Sequence, residues 1–443
     1  MNYLRVSCLL LLLMSFSICQ SQTTPIPDSV FEQLLIEAGL DAYPLDGEVA
    51  TASIDTVTSL NLYTSGSTNV SDLSGIEDFA ALTHLIVSFS DLTTLDLAQN
   101  LALQELHAYD NDIENLILPP SESLQYLELT GNPVGTLDVT QNPGLTYLSC
   151  SYGELDSLDL TNNAALVHLS CMINNLTELD ISQNPNLSTM SCDNNAISEL
   201  DLSNNPLLTS LSCSENNIAA LDLSIHDSLA FILCRLNQLT ALDISNNNAL
   251  TYLDCSYNQI TSLDASTHPL MIELFCQHNA LSSLEVSAAV IGIDCDNNQL
   301  ESLDVSGVEN LVYSFNCSSN PMTCIQVSEA QLADIPANWM IDEDDNYALD
   351  CGTSAIGSMA LPFDFNVYPN PTEGILNVTW PGSNAAEVLV VDMQGKVVKH
   401  LLNVQPGSTL NLGLPEAPYG VRVIPTNRSN DIPGMKTLYI LRP

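Results

Sequence analysis

Apolar and polar positions along this chain follow one repeating template rather than a succession of unrelated elements. A Leu-Asp pair recurs at Leu137-Asp138, Leu158-Asp159, Leu179-Asp180, Leu200-Asp201, Leu221-Asp222, Leu242-Asp243 and Leu263-Asp264, each 21 residues after the last. Leu95-Asp96, Leu116-Ile117 and Leu284-Glu285 stand on the same grid, and Leu303-Asp304 follows after 19. A second column holds Cys150, Cys171, Cys192, Cys213, Cys234, Cys255, Cys276, Cys295 and Cys317, preceded by Val87, Ala108 and Leu129. Three residues beyond it runs a column of asparagines, from Asn111 and Asn132 through Asn174, Asn195, Asn216, Asn237, Asn258, Asn279 and Asn298 to Asn320.

Each column has a physical reading. A short strand turns alternate side chains, such as Leu148 and Cys150, into a core. One coil cannot bury that face alone, so coils stack and their strands pair into a parallel sheet. Asn after the strand turns the chain, its amide satisfying backbone groups that the turn leaves unpaired. A second Asn column (Asn100, Asn142, Asn163, Asn184, Asn205, Asn247) turns it back, and the Leu-Asp-(Leu/Val/Ile)-Ser segment forms the convex side. Twelve strands are counted from Val87 to Cys317, and Val57 to Leu62 adds one at the entrance. At about 4.8 Å per strand the sheet runs on the order of 60 Å.

Solenoid ends need covers. At the entrance Pro27 to Ala38 reads as a helix, with Ser29 and Glu32 as a capping box and Val30, Phe31, Leu34 and Leu35 as its apolar face. At the exit the period fails after Cys317, and Cys324 and Cys351 bracket an irregular segment containing Trp339. In an exported chain two off-register cysteines flanking a cap read as a disulfide. A Gly/Ser/Ala stretch follows, and from about Phe365 the composition turns to balanced charge, β-rich runs and turn signals that predict a small antiparallel sandwich. The chain thus divides into a signal peptide (1–21), an N-terminal cap (22–62), repeats (63–320), a C-terminal cap (321–351), a linker (352–364) and a tail domain (365–443).

The first segment sets the compartment. Arg5 and the apolar run Val6 to Phe16 make a secretory signal peptide, too short to span a bilayer. Cys19 offers a lipoprotein alternative, made the poorer by bulky Phe16 and Ile18 before it. No later stretch has the ~20 apolar residues of a membrane span. With 8 Lys and Arg against 53 Asp and Glu, the net charge is −45 over 443 residues. Arg235 is the only basic side chain between about residue 22 and residue 351. Such a surface repels phosphate backbones and anionic lipids, which excludes nucleic-acid and membrane-surface binding. It attracts cations and basic partners, or simply keeps the chain soluble.

Two columns look like chemistry. Neighbouring Cys residues lie within disulfide range, but their Cβ vectors run parallel, and a straight column does not converge thiolates on a metal. Buried, inert thiols are the expectation. The Asp column either holds Ca²⁺, the one cofactor the sequence leaves open, or caps local backbone N–H groups, which is the more frequent use. No nucleophile elbow, zinc-binding helix or phosphate loop is present, so the chain reads as no enzyme and as having no catalytic or metal residues.

The Leu-x-x-Leu-x-Cys-x-x-Asn-x-Leu repeat resembles that of the bacterial leucine-rich-repeat surface proteins, over about residues 25 to 351. The resemblance implies a parallel β-sheet horseshoe. The tail resembles the C-terminal sorting domain of the type IX secretion system, through Tyr368-Pro369-Asn370-Pro371, Gly374 and Asp392-Met393-Gln394-Gly395-Lys396. Ala417 stands where that family usually has Gly, and Pro443 ends the chain in place of a Lys-terminated strand. This likeness implies a β-sandwich sorting domain, type IX machinery as a partner, and release or attachment at the outer surface of a Gram-negative cell.

Residues at −3, −1 and +1 from the Cys column face the concave surface, where a protein or glycan would bind for adhesion or recognition. Tyr126, Tyr147 and His168 occupy consecutive coils, and Phe231, Arg235, Tyr252 and Phe275, with Leu233, form a second patch. Aromatics and Arg are enriched at binding hot spots; an aromatic ladder that only stiffens the sheet is the competing reading for the tyrosines. Ion pairs of Arg235 with Asp254 and Asp193 are the local alternative to a ligand. The remaining alternative is a structural surface component whose acidic coils are bridged by cations.

Overall fold

Strands of three residues, two in the last, pair one per coil in sequence order into a parallel sheet of 14 strands from Ser59–Asn61 to Trp339–Met340. The computed structural model describes residues 22–63, 69–308, 310–311, 313–351, 366–368, 375–379, 385–391, 397–412, 417–425 and 434–440. The signal peptide and the linker expected at 1–21 and 352–364 lie outside them. Pairing is in register throughout the middle coils, with Tyr147 opposite His168 and His168 opposite Thr189. Within each strand of this sheet the central residue, such as Leu169, is buried, and its neighbours, such as His168 and Ser170, lie partly exposed on the concave side in most coils. Shorter parallel ladders line parts of the convex side, as in Ser262–Asp264 with Ser283–Glu285.

The Asn column forms a continuous rail between coils. Asn195 Nδ2 donates to Cys192 O at 3.0 Å and to Cys171 O of the preceding coil at 3.0 Å, while its Oδ1 accepts from Leu176 N at 3.0 Å. Asn216 repeats the pattern on Cys213 O, Cys192 O and Ile197 N. Each interior Cys carbonyl therefore receives two amides, one from its own coil and one from the next. Gly153 interrupts the rail, and a Cβ there would stand 2.9 Å from Cys150 O. The second Asn column works similarly on the other side, Asn184 Nδ2 reaching Leu160 O and Asn163 O. His226 and His268 fill two of its positions, both buried.

Directly before each rail position, Gly153 included, the backbone is left-handed. Tyr152, Ile173, Asn194, Glu215, Leu236, Tyr257 and His278 all have φ between 52° and 59°. That region is costly for a β-branched residue such as Ile173. It persists because bonds to both neighbouring coils over-determine the bend. One consequence is a ridge of outward-facing side chains along the rim, on which Tyr152, Leu236 and Tyr257 are exposed.

Nine free cysteines stand buried in the core among the described residues. Burial pushes the Cys171 thiol up to about 12 and raises the others as well, so the thiolate needed for reactivity or metal ligation is disfavoured. On the convex side the Asp column caps turns. Asp159 Oδ1 accepts from Thr161 N at 3.0 Å, Asp180 Oδ1 from Ser182 N at 2.9 Å, and Asp201, Asp222 and Asp243 repeat it. These hydrogen bonds hold the carboxyls below the usual range.

Both caps correct the sequence reading in detail. The entrance helix spans Ser29–Glu37, and its N-cap is Asp28, whose carboxylate accepts from Val30 N and Phe31 N at 2.8 and 3.0 Å. Ser29 and Glu32 form no capping box. Glu32 points away to take Asp46 N and Gly47 N, while Asp28 also ties down Ser71 and Asp72. A local pattern cannot reveal such long-range partners. Phe31 and Leu35 are buried; Val30 and Leu34 are only partly so.

At the exit the segment is not irregular. A helix Glu329–Ala333 and strands Trp339–Met340 and Asn346–Ala348 continue the coil geometry, and Gln331 Nε2 takes over the role of the second Asn column by donating to Val305 O and Val308 O. Cys324 and Cys351 form a disulfide across it. Beyond residue 365 the described strands make two antiparallel sheets, of three and four strands.

Candidate binding face

Parallel in-register strands place side chains of one column about 4.8 Å apart, close to the stacking distance of aromatic rings. The concave face uses this twice. Tyr126 and Tyr147 stack with centroids 4.1 Å apart and planes 9° apart, and Tyr147 and His168 follow at 4.4 Å and 8°. His107 extends the stack from the −1 column, 4.6 Å from Tyr126; a search along one column misses this diagonal neighbour. Burial lowers the His168 pKa and raises that of Tyr147, keeping both rings neutral near neutral pH. Tyr147 donates its hydroxyl to Glu128 Oε2 at 3.1 Å. Ring faces are thus turned on one another, and edges and polar tips meet solvent.

The second patch is more open. Phe231 and Tyr252 stack at 4.6 Å, but Tyr252 and Phe275 lie 5.6 Å apart and tilted by 40°. Arg235 lies beside them at the rim. Its partner is neither Asp254 nor Asp193, as the sequence suggested, but Glu215, with Nη2 to Oε1 at 2.6 Å. Asp193 is already engaged by Ser212 and Ser214, and Asp254 by Ser256. Glu215, lifted out by its left-handed backbone, reaches the next coil. Both partners are exposed (46% and 37%), so the pair adds little stability and leaves the guanidinium accessible.

Further along, burial pushes the Asp294 carboxyl up to about 7, and repulsion from Asp296 adds to it against the hydrogen bond from Asp296 N. A folded-state pKa above the unfolded value of about 3.9 means a contribution to stability that is complete in acid and lost as pH rises through about 7. Asp294→Asn should therefore raise the melting temperature at pH 8 and leave it unchanged near pH 4, as followed by circular dichroism.

At the entrance end Glu105 lies between His84 and His107, its oxygens 3.6 and 3.7 Å from their Nε2 atoms. Among the described residues no group of three or more His, Cys, Asp or Glu is arranged to hold a metal ion. A convex hollow of about 600 Å³ is lined by Asp159, Glu178, Asp180, Glu199 and Asp201, three of which already serve turns.

Residues 366–431 match the family model of a secretion system C-terminal sorting domain. Among solved structures, the functional domain of InlJ from Listeria monocytogenes is 26% identical, covers 95% of this chain and 99% of its own, and superposes with a TM-score of 0.57. The chain is a leucine-rich-repeat protein with a type IX sorting domain. An internalin from the same organism (18% identity, 74% and 98% covered, TM-score 0.57) shares the fold of this leucine-rich-repeat protein. A leucine-rich-repeat protein of Leptospira interrogans does so too (21% identity, 66% and 85%, TM-score 0.53). The InlJ domain includes a cysteine ladder, the arrangement the buried thiols adopt here. No curated protein matches the chain.

The sorting domain implies the type IX machinery as a partner and export to the cell surface or the medium. No helix among the described residues is long and apolar enough to cross a membrane. Of the sorting motif, Tyr368 ends a strand, Asn366–Tyr368, that pairs with Ile375–Thr379. Pro369, Asn370, Pro371, Gly374, Asp392, Gly395 and Lys396 lie outside the described residues.

Proposed function

We propose that this exported leucine-rich-repeat protein is a binding module that recognises a protein through its concave face, in adhesion or recognition outside the cell. The observation that carries the reading is the open aromatic patch of Phe231, Tyr252 and Phe275 beside the accessible Arg235–Glu215 pair. These residue types on a rigid sheet anchor protein interfaces at low entropic cost. Protein is favoured over glycan because a sugar ring packs on an aromatic face, and the Tyr126–Tyr147–His168 faces are taken by one another. The reading is one of binding, not catalysis. A cation-bridged structural role is the weaker alternative, since the convex carboxylates already cap their own turns.

The purified chain, probed against arrays of extracellular proteins and of glycans with and without Ca²⁺, tests it. A protein ligand whose affinity falls about tenfold or more in Tyr252→Ala or Arg235→Ala is the expected result. A glycan ligand, or binding indifferent to both substitutions, overturns it. Stability that depends on Ca²⁺ with no ligand found would favour the structural role.

A further inference from the structure

On the concave face of the coils from Phe231 to Asp294, aromatic rings and carboxylates stand side by side on neighbouring strands. In the −3 row, Phe231, Tyr252, Glu273 and Gly292 lie in register on successive strands. In the −1 row the same strands carry Leu233, Asp254, Phe275 and Asp294. Phe275 thus has Asp254 on one side and Asp294 on the other, and Tyr252 lies between Phe231 and Glu273.

The carboxylates have no cation of their own. Arg235 is the only Lys or Arg from residue 22 to residue 351, and Glu215 holds it. Burial raises the pKa values of Glu273 and Asp294, the mark of carboxylates removed from water without a compensating charge. Nearby, Gln277 Oε1, an acceptor, is buried without a hydrogen-bond partner. The surface is therefore rich in acceptors and apolar ring, and poor in donors.

Resting on the binding-module reading above, we infer that this part of the concave face takes a basic segment of a partner protein, its Lys or Arg side chains crossing Phe231, Tyr252 and Phe275 to reach Asp254, Glu273 and Asp294. A long cationic side chain supplies both needs, its methylenes covering ring surface and its N–H groups meeting the carboxylates. A bare divalent ion does not. Ca²⁺ gathers six to eight oxygens at one point, whereas Asp254 and Asp294 are two strands, about 10 Å, apart with a ring between. Charge complementarity of this kind fixes the class of partner and speeds encounter.

Isothermal titration of the full chain at physiological salt, using a pentapeptide alternating Lys and Trp beside its Glu–Trp and Ser–Trp counterparts, tests the inference. Only the Lys–Trp peptide should bind, and Asp294→Asn (isosteric, so expected to fold) and Tyr252→Ala should each weaken it about tenfold. Asp180→Asn, an equal charge loss on the convex side, should leave it unchanged. Equal weakening by Asp180→Asn, or binding of all three peptides, would reduce the effect to diffuse attraction and overturn the inference. Self-association lost in Tyr252→Ala would overturn it in favour of the basic tail of a second copy. If no basic peptide binds while a protein from the array loses affinity in Arg235→Ala, this inference fails and the binding reading survives. An array without any ligand dependent on the concave face would fail that reading separately.

Discussion

Asn174→Ala should destabilise the solenoid by about 4 kcal/mol, roughly twice the loss expected for Asn216→Ala. The two residues do the same work in different company. Asn216 shares Cys192 O with Asn195 and Cys213 O with Asn237, so its removal leaves those carbonyls one donor each and orphans only Ile197 N. Asn174 sits beside the gap at Gly153. It alone donates to Cys150 O, and its Oδ1 accepts from both Gly153 N and Leu155 N, at 3.0 and 2.9 Å. Three buried backbone groups lose their partner at once, each worth about 1–3 kcal/mol. Urea titration of both variants gives the totals. Amide exchange should accelerate at Gly153 and Leu155 in the first variant and at Ile197 in the second. Equal losses would mean that the shared carbonyls matter less than the geometry implies.

Cys324→Ser should cost about 3 kcal/mol and act at one end only. The disulfide closes a separation of 27 residues, for which chain entropy in the unfolded state predicts a loss of that size. What it holds down is the last coil, where Trp339 packs on Phe315 at 4.6 Å and donates to Leu311 O at 3.0 Å. Coils interact with their neighbours alone, so the cap should fray before the middle of the stack. In a Trp380→Phe background, Trp339 emission should shift red at lower denaturant in the serine variant, ahead of the loss of far-ultraviolet signal. Coincident transitions in both proteins would show the cap to be held by packing without need of the covalent link.

Most of the fold was legible because each position is written many times. The Leu148 column repeats at a fixed step, so period, strand count and inward faces all follow from one alignment of the chain with itself. Single features were harder. The helix cap fell to Asp28 rather than to Ser29 and Glu32, because Glu32 is claimed by Asp46 and Gly47, remote in sequence. The ordered exit was missed since Gln331 replaces the repeat's usual Asn while keeping its bonding role, and Trp339 stands where the sheet usually has Leu.

The concave aromatics could be named from sequence, yet their ring geometry could not. Whether Tyr126 and Tyr147 offer faces or edges depends on a stacking distance that only paired strands set. The left-handed ridge was also invisible, because Ile173 and Leu236 are residues no turn rule would choose there. Its signal, an outward position two after every Cys, is plain once the bend is known.

The rail of asparagines also tells where this molecule is free to change length. Most coils are 21 residues, but Cys276 to Cys295 takes 19 and Cys295 to Cys317 takes 22, and the rail passes through both without a break. The irregular spacing is absorbed on the convex arc, while the concave strands keep their register. Gene-level duplication of one coil would therefore lengthen the recognition face by a single strand spacing, about 4.8 Å, with every donor meeting a familiar acceptor. The architecture behaves as an extensible ruler, one whose markings can be rewritten square by square while its span is set by counting coils.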